Sequence, residues 1–169
     1  MVKRKIKNVK EQSVEFNDIR IVFGKFSKKY SLPDFDKLNE DFDISKIECD
    51  PNMLLRDIRK IMSNKFSSVM NFIELLLNPS NGSMFNMFLV RGVNSEEKEI
   101  LDELFSKIGG IGIEAFELDI YYSEAKEAEF VKSKFNDWQE IKPKLETIVK
   151  SLKGNWRKES GKKTKSYFG

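Results

Sequence analysis

The stretch between Asp50 and Pro79 restricts the fold more than any other. Leu55, Ile58, Met62, Phe66, Val69, Ile73 and Leu76 recur there at steps of three or four. That spacing lines them along one stripe of an α-helix. Asp50 is placed to accept hydrogen bonds from the first free amides, and Pro51 suits the first helical position. Asn78-Pro79 closes the segment, because the residue before a proline is pushed out of the helical region. At about 1.5 Å per residue such a helix runs roughly 40 Å. An apolar stripe of that length needs a partner.

A second striped segment supplies one. Ser123 reads as an N-cap, after which Ala128, Val131, Phe135, Trp138 and Ile141 repeat the helical spacing. Leu145, Ile148, Leu152 and Trp156 continue it, and Pro143 inside the pattern is expected to kink or split the helix. Between the two segments, Asn94 and Glu97 form a capping-box pattern that opens a helix at Ser95. Its buried side is Ile100, Leu104 and Ile108, flanked by Leu101 and Phe105, and Gly109-Gly110 is read as its stop. A short helix is expected over Asp36–Asp41, and Ser80-Asn81-Gly82 reads as a turn. Met84 to Val90 is helix or strand, which periodicity does not decide.

Two segments change period. From Ser13 to Phe26, Val14, Phe16, Ile19, Ile21 and Phe23 alternate as in a strand or a hairpin turning at Asn17-Asp18. Phe116, Leu118, Ile120 and Tyr122 alternate with Glu117, Asp119 and Tyr121, the pattern of a half-buried strand that can pair with the first. The expected fold is therefore α+β and predominantly helical: two long amphipathic helices packed together with a small antiparallel strand element. A flexible basic arm (1–12), one globular domain (13–153) and a basic aromatic tail (154–169) complete the expectation.

Composition narrows the chemistry. The 169 residues contain no histidine and a single cysteine, Cys49. This excludes Ser-His-Asp and Cys-His catalysis, histidine zinc sites and an internal disulfide. Cys49 beside Asp50 has no cationic neighbour in sequence and reads as structural or inert. No apolar run approaches the roughly 18 residues of a membrane span. No hydrophobic segment follows the basic N-terminus as a secretory signal would require. A cytoplasmic protein without membrane contact is expected. The net charge of +3 hides a division: residues 1–10 hold five bases and no acid, residues 153–169 six bases and one acid, leaving 19 bases against 26 acids between them.

Three motifs fail on context. Gly110-Ile111-Gly112-Ile113-Glu114-Ala115 has the letters of a dinucleotide fingerprint, but a helix precedes it and a strand follows, the reverse of what phosphate binding needs. Ser-x-x-Lys at Ser95/Lys98, Ser123/Lys126 and Ser160/Lys163 falls on helix caps and a polar tail. Glu117 and Asp119 share a strand face roughly 7 Å apart, and with Glu114, Glu124 and Glu127 nearby they are the one weak candidate for a hard cation. A solvated strand side ahead of a helix N-terminus explains the same residues. No catalytic residue and no cofactor is expected, and the chain reads as not an enzyme.

Interaction remains. The leading expectation is a non-catalytic protein-binding or assembly module acting through helical apolar surfaces, toward a protein partner or a second copy. Met70, Phe72, Met84 and Met87 are its interface candidates, being adaptable side chains beyond what the main stripes require. The alternative is a nucleic-acid-associated protein using its basic arms, since lysines attract phosphate and aromatics stack on unpaired bases. Its candidates are Lys3, Arg4, Lys5, Lys25, Lys28 and Lys29, with Trp156, Arg157, Lys158, Lys162, Lys163 and Lys165 in the tail.

Overall fold

A computed structural model describes residues 19–48, 50–78 and 84–162, with the side chains of 84–86, 88 and 158–162 excepted. The described residues form six α-helices and a 3-10 turn: α1 (19–30), α2 (Phe35–Phe42), the turn Ile44–Lys46, α3 (Leu54–Leu77), α4 (Met84–Arg91), α5 (Ser95–Ile120) and α6 (Glu124–Lys162). Among them there is no strand, so the α+β expectation is overturned.

Both strand assignments failed because two periods shared residues. In the first segment Ile19 and Phe23 fit an alternating strand, but they also fit a helix running Ile19, Phe23, Phe26, Tyr30. The helix wins: Ile19 and Phe23 are buried while Ile21 is 61% exposed. Residues 13–18, including Asn17-Asp18, lie outside the described residues. In the second segment the buried set is Ile111, Ala115 and Leu118, which continues Leu101, Leu104 and Ile108 in unbroken steps of three and four. Gly109-Gly110 therefore does not stop α5. No glycine among the described residues takes a positive φ, so neither Gly109 nor Gly110 adopts the left-handed conformation of a helix stop.

Other expectations are met in part. Asp50 heads a turn and not the helix, accepting from the Asn52 amide at 2.9 Å; α3 begins at Leu54, so Pro51 is not its first residue. Asp34 caps α2 by accepting from the Asp36 and Lys37 amides. Asn94 and Glu97 exchange reciprocal 2.9 Å bonds at the start of α5. Residues 84–91 resolve as helix. Pro143 does not split α6; it forfeits one backbone bond, and the helix continues to Lys162.

The chain forms two compact units. In the first, residues up to Lys65 join Gly112–Asn136. Its core holds Ile58 and Met62 of α3, Leu118 of α5 and Val131 of α6, with Phe23 edge-on to Phe35 at 5.3 Å. In the second, Phe66–Ile111 joins the chain from Asp137 onward. There Phe66 meets Trp138 edge-on at 5.7 Å, and Ile73, Leu104 and Ile148 are buried. Gly92 is required in this unit. A Cβ there would come within 2.9 Å of Asn155, whose side-chain amide donates to the Gly92 carbonyl at 2.6 Å. No helix among the described residues is long and apolar enough to cross a membrane.

The exposed Gly110 has nothing within 4 Å of where a Cβ would stand. Gly110→Ala should therefore raise unfolding free energy by about 0.5–1 kcal/mol, because alanine costs less backbone entropy in a helix. Thermal denaturation should show a gain of roughly 2–4 °C per kcal/mol. Loss of stability would mean that α5 is interrupted there.

Candidate interaction face

α3 carries a charge inside its apolar stripe. Arg59 follows Ile58 and precedes Met62 by three residues, which directs it into the first unit, where it is 1% exposed. A guanidinium removed from water needs its donors matched. Nε donates to Glu127 Oε2 at 2.7 Å, Nη2 to Asp119 Oδ1 at 2.6 Å, and Nη1 to the Ala115 carbonyl at 3.2 Å. One α3 side chain thus holds the last turns of α5 and the first turn of α6. Arg56, one turn earlier, lies 3.8 Å from Asp119 and 6.0 Å from the Tyr122 ring. Glu127 is completely buried, and its second oxygen has no hydrogen-bond partner among the described residues.

Because Ala115, Leu118 and Asp119 face inward or toward Arg59, the opposite side of the same turns faces solvent. Ile113, Phe116 and Ile120 stand there at i, i+3 and i+7, exposed to 74%, 67% and 56%. Residues at this spacing form one continuous ridge. Isolated exposed apolar residues are ordinary, but three large ones in a row on a helix already packed on its other side are not. Glu117 borders the ridge and pairs with Lys126 at 3.3 Å; Glu114, one turn earlier, pairs with Lys134 at 2.7 Å. Beside it lies an open groove of about 180 Å³ whose floor is Leu118 and Phe130, edged by Glu114, Glu117 and Glu129.

The residues singled out from sequence fall in several places. Glu117 and Asp119 are not brought together, since two residues along a helix turn the side chains away from each other; one binds Lys126 and the other Arg59. Among the described residues no three potential ligands cluster as a metal site would require. Lys25 and Lys28 are exposed on α1, whereas Lys29 donates to Glu124 at 2.8 Å and Tyr30 donates to the same oxygen at 2.6 Å. Trp156 is 43% exposed on α6 and Arg157 is exposed beside it. Lys158 and Lys162 belong to α6 by backbone. Lys3, Arg4, Lys5, Cys49, Lys163 and Lys165 lie outside the described residues. Met70 and Phe72 are half-buried on α3, Met87 is 51% exposed on α4, and the Met84 side chain lies outside the description. The sequence reading missed the ridge because it placed Phe116 and Ile120 on the buried side of a strand.

Removing the cation should be costly. Arg59→Met leaves Glu127 buried without its counter-charge and should cost about 3–5 kcal/mol in urea unfolding, most of it recovered in the double variant with Glu127→Leu. An additive double variant would show that the two do not act as a pair.

The two carboxylates should titrate with opposite signs. Arg59 holds the Asp119 carboxyl below its ordinary value of 3.8, so the stability it adds is complete above that value and lost as pH falls through the lowered pKa. Burial pushes Glu127 above its ordinary 4.5 against the pull of Arg59, so its contribution is complete below 4.5 and lost as pH rises through the raised pKa. In unfolding measured against pH, the deficit of Asp119→Asn should shrink in acid. The deficit of Glu127→Gln should shrink toward neutral pH. Profiles of the same sign would overturn the assignment.

No family model matches the chain, and no characterised protein or solved structure gives a significant match.

Proposed function

We propose that this chain is a non-catalytic protein-binding module whose docking element is the outer face of α5. The observation that carries this reading is the ridge of Ile113, Phe116 and Ile120, exposed on a helix whose opposite face is fully packed. Burying each such side chain is worth about 1.5–3 kcal/mol, and helix-in-groove docking reads anchors at this spacing. The Arg59 network holds the ridge in place before a partner arrives, so little ordering entropy is lost on binding.

A photoreactive phenylalanine analogue at position 116 tests the reading. Irradiation should give a defined protein cross-link that Ile113→Glu and Ile120→Glu each abolish. Helix content and melting temperature should stay unchanged, because both side chains are exposed. A cross-link to nucleic acid would favour the basic-arm alternative, for which the exposed Trp156 beside Arg157 speaks. No cross-link at all would remove the proposal.

A further inference from the structure

The second unit carries an apolar groove whose edges oppose in charge those beside the ridge. Along α6 an open groove of about 340 Å³ is floored by Trp138, Leu145 and Val149. Leu145 and Val149 are half-buried, leaving apolar surface at the bottom of the groove. Its edges are Lys142, Lys150 and Lys153 against a single acid, Glu146. The ridge of the first unit is convex and apolar. The groove beside it is lined by three carboxylates, Glu114, Glu117 and Glu129, against one ammonium, Lys126. Lys134, bonded to Glu114, offsets one more.

We propose that the partner of the α5 ridge is a second copy of this chain, which offers its α6 groove. Phe116 and its neighbours enter the lysine-edged groove, covering Trp138, Leu145 and Val149. In return Lys150 and Lys153 lay their aliphatic stems toward Leu118 and Phe130 and bring their ammonium groups to Glu117 and Glu129, as long cationic side chains do over apolar surface. Each copy carries both surfaces, so the contact is heterologous in kind: it closes if two copies satisfy both contacts at once and extends if they do not. The edges choose the partner and the apolar contact supplies the affinity. This inference rests on the ridge being a docking element.

Charge reversal on the purified full chain tests it, read by sedimentation velocity across a concentration series. Wild type should self-associate, more weakly at high salt because the edges are exposed and screened. Glu117→Lys with Glu129→Lys should weaken association more than about tenfold, as should Lys150→Glu with Lys153→Glu; a tenfold change is 1.4 kcal/mol. All four positions are exposed, and the one ion pair removed among the described residues, Glu117 with Lys126, is a surface pair of little worth to folding. Mixing the two reversed variants should restore association, since the new bases of one meet the new acids of the other. Failure of the mixture to associate overturns the proposal. So does a wild type that stays monomeric up to about 100 µM, where a micromolar interface would be populated. A monomer whose position 116 still cross-links to a different protein sinks this inference and leaves the α5 docking reading standing. A monomer with no cross-link sinks both.

Discussion

The geometry of the first unit depends on where one positive charge can be put. Arg59 is almost fully buried, and only a matched set of acceptors makes such a burial tolerable. Those acceptors come from two helices other than its own: the Ala115 carbonyl and Asp119 of α5, and Glu127 of α6. Leucine and isoleucine stripes tolerate sliding, because one apolar contact substitutes for another. A guanidinium does not. Moving α5 by one turn would take both of its acceptors away from Arg59 and leave the charge uncompensated. The network therefore sets the register of α3, α5 and α6 in this unit more sharply than the hydrophobic contacts around it.

That register decides which side of α5 faces water. With Ala115 and Leu118 turned inward, Ile113, Phe116 and Ile120 have nowhere to go but out. A chain under no pressure to keep apolar groups there could carry lysine or glutamate at no cost to its core. The glycines nearby point the same way: Gly109, Gly110 and Gly112 have open space around them, so no contact with a described residue excludes a side chain at those positions. The apolar outer face of α5 is thus not required by the packing beneath it, and the docking we propose would account for it.

Helices α3 and α6 were legible because nothing competed with their period. In α3, Leu55, Ile58, Met62, Phe66, Ile73 and Leu76 occupy the stripe the spacing demands, and all are buried. The strands were misread where a segment satisfied two periods at once. Residues 113–122 alternate locally, yet their inner members continue a heptad-like run that began at Leu101, and the longer pattern prevails because it joins an existing core. The Arg59–Glu127 pair was also within reach. Each is a charged residue inside an apolar stripe, Arg59 three before Met62 and Glu127 four before Val131. Two such intrusions of opposite sign on two helices expected to pack are the signature of a buried ion pair. Asp119 was not legible, since its role depends on α5 continuing past the glycines.

The composition also bears on how such a surface responds to its surroundings. With no histidine, no side chain here has its ordinary pKa between about 5 and 8. The carboxylates beside the ridge and the lysines along the α6 groove make such a surface sensitive to ionic strength. Exposed charges lose most of their mutual attraction beyond a screening length of about 8–10 Å. The apolar ridge is not screened in this way, so the two components separate experimentally. In the docking we propose, salt would act on the choice and speed of encounter, and substitution at Phe116 on the lifetime of the complex.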